Sequence, residues 1–139
     1  MPQYFLAKSE PGVYSWDRFV KEGKAVWDGV RNFEARGNLR AMKKGDLVFF
    51  YHSGEGKEIV GVVEVSREHF PDPTDKTKMF VAVDVKAVGP MPKPVTLAAI
   101  KAEPKLAEMA LVKQSRLSVQ PVTAAEWKLV GAMGGWKNG

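Results

Sequence analysis

The segment from Trp27 to Arg40, WDGVRNFEARGNLR, holds an indole, the Asp28 carboxylate, the Asn32 and Asn38 carboxamides and the guanidiniums of Arg31, Arg36 and Arg40. That is more recognition chemistry than packing requires. A flat aromatic face stacks on a heterocycle, a carboxylate and a carboxamide read donor and acceptor edges, and arginines hold phosphate. The structural alternative puts Trp27 in the core, Asp28-Gly29 in a turn and the charges on a solvated helix. Further along, Ser9-Glu10, Tyr51-His52-Ser53 and Arg116-Leu117-Ser118-Val119-Gln120 set hydrogen-bonding groups beside apolar runs. A pocket for a flipped base needs this mixture, because the ring wants an apolar or aromatic sandwich and its edge wants a few fixed polar atoms.

Other chemistries fit the residues less well. Gly54-Glu55-Gly56-Lys57 pairs glycines with a lysine, but a phosphate-binding loop needs a longer spacing, a hydroxyl after the lysine and a helix to follow. A strand follows instead. A hydrolytic triad would have to start from His52 and Ser53, whose adjacent side chains point apart on a strand, or recruit Ser9 or Ser118 through the fold. Glu10 and Asp28 offer carboxylates for a base- or nucleotide-modifying hydrolase, and sequence does not give their separation. The two histidines, His52 and His69, lack ligand spacing, so no metal is expected. No cofactor motif is present.

The elements that must position these groups belong to a chain of 139 residues with 45% hydrophobic content, most simply a single domain over residues 1–139. A net charge of +5 suits a polyanionic partner. The absence of cysteine excludes disulfide frameworks and thiol nucleophiles. Neither a signal peptide nor an apolar run of roughly 20 residues is present, so the expectation is a soluble, cytoplasmic protein without a membrane partner.

Along the chain, Gln3 to Lys8 reads as a strand, and Ser15 caps a helix over Trp16–Glu22 with Trp16, Phe19 and Val20 inward and Gly23 as its stop. A loop through Asp28-Gly29 leads to a short helix from Phe33 to Leu39. Leu47–His52 and Ile59–Ser66 read as buried strands, with Gly61 marking a bulge or a close approach. The run from Pro71 to Lys78 reads as a surface loop. Met79–Val88 alternates as a half-buried strand, inward at Met79, Val81, Val83 and Val85, and Pro90, Pro92 and Pro94 are expected to end it. Helices follow from Thr96 and from Pro104, the latter with Leu106, Met109 and Ala110 on its apolar face. Leu117–Val122 reads as a last strand, Thr123 to Glu126 as a capping box, and Gly134 to Gly139 as a frayed end. About five strands with small helices between them favour an α+β fold built on a mostly antiparallel barrel.

Four ordered motifs carry a resemblance to a known family. Lys8-Ser9-Glu10-Pro11, Trp27-Asp28-Gly29-Val30-Arg31-Asn32 with Ala35-Arg36 and Asn38-Leu39-Arg40, Gly45-Asp46 before Phe50-Tyr51-His52-Ser53, and Ser115-Arg116-Leu117-Ser118-Val119-Gln120-Pro121 together resemble the EVE domain family. The resemblance spans Tyr4 to Trp127. It implies a PUA-like fold, a small distorted β-barrel with short flanking helices, related to YTH, ASCH and SRA-type modules. It further implies a non-catalytic reader that takes a modified base of DNA or RNA into a pocket. Carried over residue by residue, Ser9, Trp27, Asp28, Asn32, Tyr51, His52, Ser53, Ser118 and Gln120 would line that pocket beside Glu10. Arg31, Arg36 and Arg116 would lie at its rim, with Arg40 as a further phosphate contact. The competing readings are the hydrolase on Glu10 or Asp28 and a protein that binds a peptide or small molecule in the same cleft.

Overall fold

The structure, a computed structural model, describes residues 2–12, 14–54 and 56–136. Its elements in order are β1 Tyr4–Ser9, α1 Trp16–Glu22, β2 Lys24–Trp27, α2 Phe33–Ala41, β3 Leu47–His52, β4 Glu58–Pro71, β5 Val81–Thr96, α3 Leu97–Ala102, α4 Ala110–Lys113, β6 Val119–Val122 and α5 Ala124–Gly134. A 3-10 turn at Pro104–Leu106 precedes α4. The strands form one six-stranded sheet in the order β2-β5-β4-β3-β1-β6. Only β1 and β3 run parallel, and the other neighbours are antiparallel.

This is the expected α+β class with one strand more than expected and without barrel closure. The extra strand is β2, whose alternating exposed and half-buried residues gain a partner only when β5 lies beside them. The edge strands β2 and β6 do not pair with each other, so the ladder stays open.

Strand alternation divides the core into two layers. Phe5, Ala7, Val48, Phe50, Val63, Val83 and Val85 point to the face covered by α1 and α2, where Trp16, Phe19, Ala35 and Leu39 join them. Leu6, Phe49, Tyr51, Ile59 and Val62 point to the opposite face, covered by α3, α4 and α5. There Trp127 stacks on Phe49 with ring centroids 3.8 Å apart and Tyr4 stacks beside it at 4.7 Å. Asp46, buried in the turn before β3, accepts from the Gln3 amide and from the Lys43 backbone N–H, which ties the start of β1 to that turn.

Local signals act largely as read. The Ser15 hydroxyl accepts from the Arg18 amide at the start of α1, and Gly23 closes the helix at φ 77°. Thr123 with Glu126 forms the complete capping box expected on α5. Asn32, expected in the base pocket, instead caps α2 by accepting from the Ala35 amide. Other expectations are corrected. Val20 is exposed, because Trp16 and Phe19 alone fill the space that α1 covers. Met79 is also exposed while Phe80 is buried, since β5 starts only at Val81 and the preceding backbone is turned by hydrogen bonds to Asp75.

The prolines do not end β5. Extended backbone continues to Thr96, and the pairing jumps from Gly61–Pro90 to Ile59–Val95, so Met91–Pro94 bulge out where no ladder amide is needed. The helix expected from Pro104 is split into a 3-10 turn and α4, with Leu106 and Met109 both buried. The tail through Trp136 is packed: Met91 and Val95 contact Gly134, and Trp136 lies against Gly89 and Gly131. Lys137 to Gly139 lie outside the described residues.

Gly61 is a close approach, as its place inside a strand suggests. A Cβ there would fall 2.4 Å from the Trp16 ring, so the indole seats directly on the β4 backbone. Gly61→Ala is expected to lower stability by about 1–3 kcal/mol through overpacking, read as a lower denaturant midpoint at unchanged slope. An unchanged midpoint would mean that Trp16 does not rest on Gly61.

Candidate functional site

Asp72 organises the loop that sequence singled out. Its buried carboxylate accepts from the Gly29 amide at 2.8 Å, from the Arg31 guanidinium at 3.0 Å, and from the Thr74 amide and hydroxyl at 2.7 and 2.6 Å. Burial alone would push this carboxyl up, but the hydrogen bonds from Thr74, Gly29 and Arg31 outweigh it and hold the group below its ordinary value. Gly29 sits at φ 79°, a left-handed conformation that turns the chain so that its amide meets Asp72. Arg31 also donates to the Thr74 hydroxyl and to the Val30 carbonyl, and lies over the Phe80 ring.

The loop fixed in this way forms one wall of a cleft of about 680 Å³ at the ends of β1 and β2. Trp27, Asp28, Val30 and Arg31 face Lys8, Ser9 and Glu10 across it, Ser118 joins from the segment before β6, and α1 closes the rim with Arg18 and Glu22. Trp27 is half-buried. Part of its indole packs edge-on against Phe50 with centroids 5.4 Å apart, and another part walls the cleft. The Asp28 carboxylate makes no hydrogen bond to another described side chain. Burial, followed by the nearby Asp72 charge, pushes its carboxyl above the ordinary value.

On the opposite side the Ser9 hydroxyl donates to the Tyr14 carbonyl, which leaves its lone pairs facing the cleft. The Tyr14 hydroxyl donates to Glu22 at 2.6 Å, and burial together with that carboxylate holds the phenol well above its usual range. Arg18 covers the Tyr14 ring and lies 3.6 Å from Glu22. The cleft thus offers a fixed aromatic wall, a carboxylate with open acceptor sites and a hydroxyl, rimmed by cations. These groups suit a planar heterocycle with N–H groups on its edge.

The fold brings Ser9, Glu10, Trp27, Asp28, Arg31 and Ser118 together and distributes the other expected residues elsewhere. Asn32 caps α2 and borders a shallow hollow that also holds Arg116. His52 accepts the Trp16 amide proton at 3.0 Å, holding the start of α1 to the end of β3. Tyr51 and Ser53 line a separate hollow on the other face of the sheet. Gln120 is fully buried and donates to the carbonyls of Gln114 and Leu117, closing the turn before β6. Arg36 donates to the Met79 carbonyl and covers Phe33. Arg40 and Arg116 are exposed and make no ion pair with a described residue.

Sequence reasoning missed Lys8, Tyr14, Arg18, Glu22, Ala25 and Val26 in the lining, and Asp72 behind it. For α1 a signal existed: Arg18 and Glu22 are spaced i, i+4 and Tyr14 precedes the cap by one residue. For Asp72 the Asp-Pro-Thr turn signal was present, but the partners that tie it to the cleft, Gly29 and Arg31, lie some forty residues away. Among the described residues no group of His, Cys, Asp or Glu is arranged to hold a metal ion.

An open, mixed sheet with helices on both faces and a cleft at its strand ends defines a PUA-type fold. The chain belongs to the EVE domain family, which it matches over residues 3–133. Human thymocyte nuclear protein 1, THYN1, is 35% identical over 94% of this chain and 73% of its own length. A crystal structure of human THYN1 in complex with 5-methylcytosine-containing DNA aligns with a TM-score of 0.88 at 32% identity, covering 98% of this chain and 99% of that one. An NMR structure of a Rhodopseudomonas palustris protein aligns at 0.92 with 59% identity, over 99% and 96% of the two chains. The fold alone is shared with the YTH domain of a Zygosaccharomyces rouxii protein solved with N6-methyladenosine RNA, at a TM-score of 0.62 and 17% identity over 96% and 86% of the chains. Among the described residues no helix is long and apolar enough to cross a membrane. The cytoplasmic expectation gains no support from a relative named as a nuclear protein.

Two outcomes follow from the anchors. Asp72→Asn removes the charge that gathers Gly29, Arg31 and Thr74, and is expected to cost about 1.5–3 kcal/mol, with the Gly29 amide losing its protection from hydrogen exchange. A variant that keeps that protection would show the loop to be held by something else. His52, with an ordinary value of 6.5, is lowered by burial despite opposing pulls from Glu58 and Asp17, and its bond from the Trp16 amide needs the neutral ring. The unfolded chain therefore takes up the proton first. Stability should be full above about pH 6.5 and fall below it, until the folded-state ring also protonates. His52→Gln keeps an acceptor without titrating, so its melting temperature should drop less than the wild type's between about pH 7.5 and about pH 5. Equal drops would remove His52 from the pH response.

Proposed function

We propose that the chain is a non-catalytic nucleic-acid-binding module that takes a modified nucleobase, flipped out of DNA or RNA, into the cleft against Trp27. The observation that carries this reading is the position of the half-buried indole beside the open Asp28 carboxylate and the Ser9 hydroxyl in a cavity of about 680 Å³. An amino or ring N–H group of the base donates to Asp28, as exocyclic amino groups of bases do to carboxylates. Ser9 and Ser118 complete the edge, and Glu10 bounds the far end.

The human relative solved with 5-methylcytosine-containing DNA supports a modified base as the ligand class. Arg116 and Arg40, exposed and without ion pairs to described residues, hold flanking phosphates. Arg31 and Arg36 are committed to Asp72 and Met79, and their part is to stiffen the cleft wall.

A hydrolase reading draws on Asp28, since a carboxyl raised by burial is closer to a general base at neutral pH. Prolonged incubation separates the two: a reader returns its oligonucleotide intact, and a hydrolase releases base or product. For the reader, Trp27→Ala is expected to weaken binding of a modified oligonucleotide about ten- to a hundredfold, the equivalent of about 1–3 kcal/mol of stacking. A folded Trp27→Ala protein with unchanged affinity would remove the indole from the site.

A further inference from the structure

Lys8 lines both the cleft and a second hollow of about 200 Å³ on the opposite face of the sheet. Tyr51, Ser53, Lys57 and Ser115 are the other polar residues lining this hollow, and Leu97 and Leu111 form its apolar side. Tyr51 is only 3% exposed, yet its hydroxyl makes no hydrogen bond to any described residue. The hydroxyl oxygen keeps some contact with solvent and stands at the hollow as a donor with no protein acceptor committed to it. Burial also raises the phenol above its ordinary value, which keeps it a proton donor.

The two cations are placed to act with it. The Lys8 ammonium is held by the Ser115 carbonyl at 2.6 Å and stands 5.9 Å from the Tyr51 ring centroid, with further N–H donors unused. Lys57 adopts φ 33°, unusual for a residue with a side chain, and its carbonyl is fastened by the Leu97 amide at 2.8 Å. No carboxylate lines the hollow among the described residues, and Glu10 approaches Gly54 from the side of the cleft. A water molecule would satisfy the hydroxyl, but it would not account for two lysines, and no described carboxylate, lining the same space.

We propose that this hollow is an oxyanion subsite that receives a backbone phosphodiester of the nucleic acid, donated to by Tyr51 and by the ammoniums of Lys8 and Lys57, with the sugar against Leu97 and Leu111. Its place in recognition rests on the base-reading function, because Lys8 is the residue through which cleft and hollow meet. A strand whose base enters one side then lays a neighbouring phosphate on the other. This assigns Tyr51 and Ser53 to phosphate, where sequence had grouped them with the base.

The test uses probes that separate the two sites. Dimethyl phosphate, a phosphodiester without a base, is titrated while the amide resonances of Ser53, Gly54 and Lys57 are followed by NMR. 5-Methyl-2′-deoxycytidine is titrated separately while those of Trp27 and Asp28 are followed. Dimethyl phosphate should give saturable shifts at the hollow that vanish in Tyr51→Phe and weaken in Lys57→Gln, while neither substitution alters the nucleoside response. On a 5-methylcytosine oligonucleotide, Tyr51→Phe should weaken binding about tenfold, and Lys57→Gln should reduce the salt slope by about 0.7–0.9. Shifts that are absent, that do not saturate, or that persist in Tyr51→Phe overturn the subsite. Binding of inorganic phosphate without dimethyl phosphate overturns the strand as its source. If the nucleoside fails to move Trp27 while dimethyl phosphate still titrates the hollow, the base reading falls and the anion site stands. Lys57, on the surface, keeps the test open should Tyr51→Phe not fold.

Discussion

One buried carboxylate sets the geometry of the cleft. Asp72 sits at the end of the long β4 strand, out of contact with water, and a charge in that position persists only if its oxygens are filled with donors. The chain supplies them from Thr74 nearby and from Gly29 and Arg31 on the distant loop. Satisfying the carboxylate and shaping the loop are therefore one event. Trp27 and Asp28, immediately before Gly29, inherit their positions from it, and Arg31 is drawn inward as a strut.

The sheet imposes a second constraint. β1 and β3 run parallel with Lys8 opposite Tyr51 and Ser9 opposite His52, so both strands end on the same side of the molecule. Alternation then sends Ser9 and His52 to the face that carries Trp27, and Lys8 and Tyr51 to the other. A single strand end thus serves two recesses, and consecutive residues belong to different ones. Lys8 reaches both because a long aliphatic stem can lie along one wall while its ammonium extends beyond it.

What could be read directly from residues was local. Ser15 and Thr123 act as caps because a short polar side chain meets amides two or three positions on, whatever surrounds it. Gly61 stood out because a strand interior rarely gives up a side chain without a neighbour to accommodate, and Trp16 is that neighbour. Within the cleft, Ser9, Glu10, Trp27, Asp28 and Ser118 came from motifs that the tertiary fold does gather. Tyr51-His52-Ser53 was read as one unit and is split, because neighbours on a strand face opposite ways. Gln120 was read as a ligand contact and is a buried clamp on the turn from Gln114 to Leu117.

By itself the sequence determined the segments, their caps, the α+β class and the residue types available for stacking and hydrogen bonding, all consequences of spacing within a few residues. The tertiary structure alone decided that Lys24–Trp27 is a strand, that the backbone stays extended past Pro90, and that Asp72 reaches across the fold to Gly29 and Arg31. The difference is one of range. A cap or a turn is satisfied by atoms its own neighbours carry, whereas a ladder amide or a buried charge finds its partner only where two remote stretches of chain have packed together.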